Sequence, residues 1–283
     1  MSLSQPPLAL AGLGQNSQST PFSTAAEAGP SRHSTYTLPQ ANVQVVSLKL
    51  DASIKVAVSE GLAPVETFSA QQGVQYAING GFFDPQNGKT TSYLTVNGQL
   101  SGDPAGNERL VQNPNLQQYL PQILNRSEFR AYRCESDDGP RYDITFHNAA
   151  VPDGCAIKSA VGAGPQLLPA DTSVAEAFTD YKNGELIRDA IGSMQPNARS
   201  AIGIDANGAI FLLMAEKNAD SSGMTLTELA EFARSLGIVK LLNLDGGSSS
   251  SLYVRGEKTY AGLADADNNP IHRPVKSVII AGE

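Results

Sequence analysis

Apolar and polar residues alternate along Val43-Gln44-Val45-Val46-Ser47-Leu48-Lys49-Leu50 roughly as a half-buried strand requires, so ordered structure is expected to begin there. A second strand is predicted over 55–59, a short helix over 65–70, and then the apolar strand Val74-Gln75-Tyr76-Ala77-Ile78. Residues 91–100 read as a hairpin turning on Asn97-Gly98, a pair that tolerates positive φ. Residues 201–205 and 209–215 read as a second hairpin around Asn207-Gly208, and the unbroken apolar character of its second arm predicts burial on both faces. Thr225 is a natural N-cap with Glu228 three residues on, and Leu226, Leu229, Ala230, Ala233 and Leu236 recur at helical spacing until Gly237 ends the run. The chain then reverses into a strand over 238–244. These elements predict an α+β class: a sheet-rich single domain, mixed or antiparallel, with a few helices and no regular βαβ array.

Two of the apolar strands run straight into glycine turns that carry polar side chains. One is Asn79-Gly80-Gly81-Phe82-Phe83-Asp84-Pro85; the other is Leu244-Asp245-Gly246-Gly247-Ser248-Ser249. Glycine lets a ligand approach the backbone closely, and the hydroxyls and free N–H groups that follow suit anionic or sugar oxygens. Either segment alone reads equally well as a tight turn closing a core strand. A third segment, Asn197-Ala198-Arg199-Ser200-Ala201-Ile202-Gly203-Ile204-Asp205, leads an arginine into a strand, and a fourth is Ser222-Gly223-Met224-Thr225-Leu226-Thr227-Glu228-Leu229. With Ala163-Gly164-Pro165-Gln166-Leu167-Leu168 and His272-Arg273-Pro274-Val275, they stand in an order that resembles the phosphodiester glycosidase family. The resemblance runs from about Val43 to the C-terminus, with a poorly matching, insertion-like stretch at roughly 102–158.

What the resemblance implies is hydrolysis of a sugar 1-phosphodiester, for example one of the N-acetylglucosamine-1-phosphate type. The departing group is then a phosphate monoester whose second pKa is near 6, so it leaves as a stable anion and needs little protonation. The work lies in stabilising an oxocarbenium-like centre with a carboxylate and neutralising the phosphate. Asp245 is the leading carboxylate, as nucleophile or as base on water. Arg199 is the expected phosphate ligand, since a guanidinium grips phosphate oxygens with two parallel hydrogen bonds. Glu228 either assists or simply caps its helix, or both. Arg273 is a second phosphate candidate with a structural ion pair as its alternative, and Asp84 a third carboxylate that otherwise starts a turn. Asn79 and the Gly80-Gly81 backbone are expected to hold sugar hydroxyls or an acetamido group, with Phe83 or its neighbour Phe82 as an apolar wall or as core. Gly164, Gly246, Gly247, Ser248 and Ser249 complete the expected substrate contacts.

No Gly-x-Ser-x-Gly elbow accompanies Ser248-Ser249-Ser250-Ser251, which argues against a serine nucleophile. Asp265-Ala266-Asp267-Asn268-Asn269-Pro270 begins like a calcium loop but lacks its glycine and terminal glutamate, so it reads as a polar turn, and no metal or other cofactor is expected. A noncatalytic glycan-binding or envelope-assembly module with the same turns is the alternative function.

With 283 residues and 41% hydrophobic content, the chain can bury a substantial core. A net charge of −8 with no basic run argues against a nucleic-acid partner and leaves a carbohydrate phosphodiester or envelope polysaccharide as the expected one. No apolar run approaches the roughly 18 residues of a membrane span. The two cysteines, Cys134 and Cys155, lie in the poorly matching stretch and look like a local disulfide, implying an oxidising compartment, with unrelated reduced thiols as the alternative. Residues 1–40, rich in Ser, Gln, Pro, Ala and Gly, are expected to be a flexible leader, and residues 41–283 the glycosidase-like domain. The location expected is extracytoplasmic, periplasmic or secreted, with an export signal absent from this sequence.

Overall fold

The computed structural model describes residues 30–135, 139 and 141–282. Three large sheets make up the fold. The first has six strands in the order Arg32–Thr37, Asn42–Ser47, Ile210–Ala215, Arg199–Asp205, Ile238–Asn243 and Gln166–Leu168. The second has five, Thr259–Ala261, Ser251–Val254, Tyr76–Asn79, Val275–Gly282 and Ser53–Ala63. The third also has five, Gln99–Gly102, Leu94–Val96, Cys155–Gly162, Ser127–Cys134 and Arg141–Phe146. Neighbouring strands in all three are antiparallel, which narrows the expected mixed or antiparallel class to the second option.

The period of two along each strand decides what these sheets bury. In Ile210–Ala215, Ile210, Leu212 and Met214 face a core shared by all three sheets, where they meet Ile78, Ile279, Phe129 and Val161. Phe211, Leu213 and Ala215 face the other way, onto Leu226, Leu229 and Ala233 of the helix Leu226–Ser235. The two-sided burial predicted for this arm is therefore met by a sheet layer on one face and a helix on the other. Each fully buried leucine contributes about 2 kcal/mol of apolar transfer to this packing. On the outer face of the second sheet, the helix Val65–Gln72 covers Ala77, Val278 and Ile280 with Val65 and Phe68. Asn97 and Gly98 take positive φ in the predicted hairpin turn, as do Gly208 and Gly237 at the other two predicted reversals.

Two sequence expectations need correction. The leader was expected to reach residue 40, but Arg32–Thr37 pairs antiparallel with Asn42–Ser47 as an edge strand. Its Thr35 hydroxyl and His33 ring both bond the Gln44 side chain, so short polar residues read as unstructured are held by cross-strand partners. Residues 1–29 lie outside the described residues. The stretch 102–158 is no peripheral insertion, because it supplies most of the third sheet and places Phe129 and Ile144 in the shared core.

Cys134 and Cys155 sit directly opposite each other on adjacent strands of that sheet and are disulfide-bonded. Linking positions 21 residues apart removes loop entropy from the unfolded chain. Replacing both cysteines by serine should therefore lower stability by about 3 kcal/mol, read as a lower denaturant midpoint than that of the oxidised wild type. An unchanged midpoint would mean that strand pairing alone holds this register.

Candidate functional site

The chain leaves the first sheet at Leu244, whose N–H donates to the Ser200 carbonyl at 2.8 Å, and passes at once to the second sheet, where the Asp245 N–H donates to the Gly80 carbonyl at 3.1 Å. Asn79, fully buried at the end of its strand, closes the junction. Its amide donates to the Asp245 carbonyl at 2.7 Å, while its Oδ1 accepts from the Ser200 hydroxyl at 2.7 Å and the Ser251 N–H at 3.1 Å. The expectation that Asn79 meets a sugar is corrected: these three bonds occupy both ends of its amide with protein. Gly80 and Gly81 are corrected likewise. A Cβ on Gly80 would lie 2.5 Å from the Ser277 hydroxyl, and one on Gly81 only 2.0 Å from the Gly162 carbonyl, so both glycines let sheets approach rather than a ligand.

Beyond the junction the turn opens. Gly247 has φ +60 and donates its N–H to the Ala198 carbonyl at 2.8 Å, a conformation that a side chain would strain. Asp245 itself keeps a partly exposed edge. The protein packed around its carboxyl disfavours the charged form and pushes its pKa up to about 6, against the opposing pull of the Ser249 side chain, the Arg273 charge and the Gly246 N–H. Arg273 is the cation that faces it. Its Nη1 donates to the Ser248 hydroxyl at 2.8 Å and its guanidinium lies over the Phe83 ring, 5.4 Å from the centroid, leaving its other donors without a protein acceptor among the described residues. Phe83 is thus both core and a platform for a cation.

Arg199 does something else. Its Nε donates to the Met224 carbonyl at 3.0 Å, its Nη1 to Ile191 at 3.1 Å, and its Nη2 to Gly192 at 2.6 Å and Gln195 at 2.8 Å. Burial lowers its pKa to about 10, offset in part by Asp189. The phosphate-ligand expectation is corrected, because a guanidinium buried to this degree satisfies its donors with the carbonyls that wrap around it. It stands beside the Asp245 turn, its Cδ lying 3.9 Å from where a Gly246 Cβ would stand.

Glu228 closes a capping box: its Oε2 accepts from the Thr225 N–H at 2.8 Å and the Thr225 hydroxyl at 2.9 Å, while its own N–H donates to Thr225 Oγ1 at 3.2 Å. Asp84 accepts from the Gln86 N–H at 2.8 Å and from Arg109 Nε at 2.6 Å. Desolvation pulls its pKa up, but those two partners win and hold it below the usual range. It starts a turn and forms an ion pair, so it leaves the list of working acids. Gly164 has φ +117, and a Cβ there would meet Glu176 Oε2 at 2.4 Å and Phe178 at 2.7 Å. Its N–H and carbonyl are both bonded to Asn243, two residues before Asp245. Through it the site is continuous with a wall formed by Phe178, against which the Phe82 ring packs at 5.6 Å. Sequence reading missed this wall, because Phe178 and Arg126, which stacks on it, belong to no motif.

The sequence profile of the family described as phosphodiester glycosidase matches residues 72–281. N-acetylglucosamine-1-phosphodiester alpha-N-acetylglucosaminidase of Mus musculus is 38% identical over 60 residues, 21% of this chain, and the Homo sapiens enzyme of that name matches to the same extent. The matched segment spans only 12% of those relatives' length. Among solved structures, the catalytic domain of the zebrafish enzyme of the same name superposes with a TM-score of 0.63 at 16% identity, covering 92% of this chain and 85% of that one. A hypothetical protein from Synechocystis gives 0.60 at 17% identity, covering 89% and 61%. Both share the fold.

Arg199→Lys should cost about 2–4 kcal/mol of stability, because a single ammonium cannot reach carbonyls converging from two segments. Urea denaturation measures it. Undiminished stability with a raised KM for a phosphodiester would return Arg199 to the substrate.

Proposed function

The chain belongs to the phosphodiester glycosidase family, and from that premise we propose that it hydrolyses a sugar 1-phosphodiester with Asp245 as the working carboxylate and Arg273 as the cation for the departing phosphate. The observation that carries this reading is that both act at one turn. Asp245 is poised by burial at a pKa of about 6, and Arg273, bonded to Ser248 of the same turn, acts on it electrostatically and keeps donors that no protein group among the described residues takes. Ser248 holds the arginine and Ser249 the acid, so adjacent residues of one short turn orient both partners.

The chemistry follows from these groups. A phosphate monoester leaves as an anion, so breaking the bond from the anomeric carbon to oxygen demands positive charge beside the leaving oxygen more than it demands a proton donor. Arg273 meets that demand at the end of a side chain steadied by an aromatic face. The developing positive charge on the sugar is stabilised by ionised Asp245, acting as nucleophile or as base on water. Glu228 supports this from outside the reacting atoms by fixing the start of its helix.

The Cys134–Cys155 disulfide supports an extracytoplasmic setting, and no helix among the described residues is long and apolar enough to cross a membrane. The substrate we infer is a carbohydrate phosphodiester, with N-acetylglucosamine 1-phosphodiesters the first to test.

Because Asp245 acts ionised and its pKa is raised, kcat/KM for such a donor should fall as pH drops through about 6. Asp245→Asn should abolish that limb and lower turnover about a thousandfold or more while substrate still binds. Sugar release at a series of pH values checks both; saturable binding without turnover in the wild type would replace the enzyme with a glycan-binding module. Arg273→Gln removes a charge that holds the Asp245 pKa down, so the limb should move to higher pH as kcat/KM falls about a hundredfold. A fall in rate with the limb unmoved would place Arg273 away from the acid.

A further inference from the structure

Behind the Phe82–Phe178 wall lie two guanidiniums that the proposed reaction does not use. Arg126 lies flat on the Phe178 ring, its guanidinium carbon 3.6 Å from the centroid, and its Nε donates to the Glu176 carbonyl at 3.0 Å. Arg188 lies over the Tyr119 ring at 4.7 Å, and its Nε donates to the next carbonyl along, that of Ala177, at 2.8 Å. Ala177 is held at φ +55, a left-handed conformation that alanine disfavours by roughly 1 kcal/mol, and this strained link between Glu176 and Phe178 anchors both arms.

The two arginines are therefore built alike. An aromatic face supports each and a backbone carbonyl takes its Nε, while among the described residues the terminal nitrogens of both have no protein acceptor. Among the described residues neither forms an ion pair. The carboxylates nearby are committed elsewhere. Glu176 is fully buried and accepts from the Ser127 N–H at 2.8 Å, the Ser127 hydroxyl at 2.7 Å, the Gln166 N–H at 3.0 Å and the Thr172 hydroxyl. Asp180, opposite Arg188 in its hairpin, accepts from the Tyr119 hydroxyl at 2.8 Å. The pair are close enough to repel. Desolvation lowers the Arg126 pKa to about 9, Glu176 opposes this, and the Arg188 charge adds to it. Arg126 remains charged at neutral pH.

Contrast with Arg130 shows what a structural arginine looks like here. It is 1% exposed, bonds Glu128 through Nε at 2.7 Å, and gives its terminal nitrogens to the carbonyls of Ala149, Phe146 and His147. Arg126 and Arg188 stop halfway, immobilised at Nε and, among the described residues, open at the fork. Two like charges anchored on adjacent carbonyls without a counter-ion among the described residues, in a chain of net charge −8, are complementary to an oxyanion that accepts from both forks.

We propose that Arg126 and Arg188 form a second anion-binding subsite, which takes a phosphate or carboxylate group of the substrate other than the phosphodiester facing Arg273. This deepens the glycosidase reading and rests on it for the identity of the substrate, which becomes a glycan carrying a further anionic group near the bond that is cut. The binding event stands on these side chains alone.

The test removes the first cation and titrates the second site directly. Methyl phosphate and, separately, acetate are titrated by calorimetry at low salt into Arg273→Gln protein, into Arg273→Gln/Arg188→Gln, and into Arg273→Gln/Arg126→Gln. Saturable binding of at least one anion to the single variant, weakened about tenfold or more in the first double variant, is the expected result, and the stronger anion names the group recognised. Because Arg126 packs on a buried ring, its variant counts only if its melting temperature stays near the parent's; Arg188, in a surface hairpin, carries the decision otherwise. No saturable binding to the single variant, or equal binding to single and Arg188 variants, overturns the subsite. No turnover is needed. Anion binding that depends on Arg188 in a protein releasing no sugar keeps the subsite and sinks the glycosidase; sugar release by the wild type without such binding does the reverse.

Discussion

The amide of Asn79 is the fastening on which the site depends. Two sheets end at the same place, and their last strands have polar backbone groups that the ladders no longer satisfy. One fully buried side chain, with a donor at one end and an acceptor at the other, answers the Asp245 carbonyl, the Ser200 hydroxyl and the Ser251 N–H together. Leaving any of these buried groups without a partner costs about 1–3 kcal/mol, so the junction is specified and not merely tolerated. The Asp245 carboxyl projects from a backbone pinned on both sides, which is the rigidity that its proposed action at one carbon requires.

Hydrogen-bond saturation separates five arginines of this protein into two kinds. Where the guanidinium is sealed, the surrounding carbonyls or a carboxylate take its donors and it becomes part of the scaffold, as Arg130 and Arg199 do. Where an aromatic face and a single anchor hold it half open, its charge stays available, as with Arg273, Arg126 and Arg188. The same distinction separates the carboxylates. Glu176, Glu228 and Asp84 are each saturated by N–H or O–H donors or by an ion pair. At Asp245 desolvation outweighs the partners, and its pKa is raised. A carboxylate with little compensation is costly to fold and useful to a reaction that develops positive charge opposite it.

The third sheet ties these features together. Its strands carry Phe129 and Val161 into the shared core, the Gly162 carbonyl packs against Gly81, and Arg126 stands just before its Ser127–Cys134 strand. The disulfide staples the far end of that strand pair. The stretch at 102–158 thus supports, through Arg126, the wall beside the Asp245 turn.

Local patterning determined much of this protein. The strands at 42–47, 76–79, 199–205, 210–215 and 238–243, the Asn-Gly hairpin, the Thr225–Glu228 capping box and the Asp245-Gly246-Gly247 turn were all readable, because periods of two or 3.6 and the demands of caps and positive φ act over a few neighbouring residues. Tertiary structure decided which side chains kept their functional groups. Arg199 and Arg273 look alike in sequence, each leading into an apolar strand, and nothing nearby says that carbonyls from 191–195 and 224 will close over one while the other comes to rest on Phe83. The strand at Arg32–Thr37 was hidden for the same reason, its order coming from a partner strand and not from its own composition. Hydrogen-bond donors are identical in every arginine of an unfolded chain; whether they are used up is settled only when distant segments arrive.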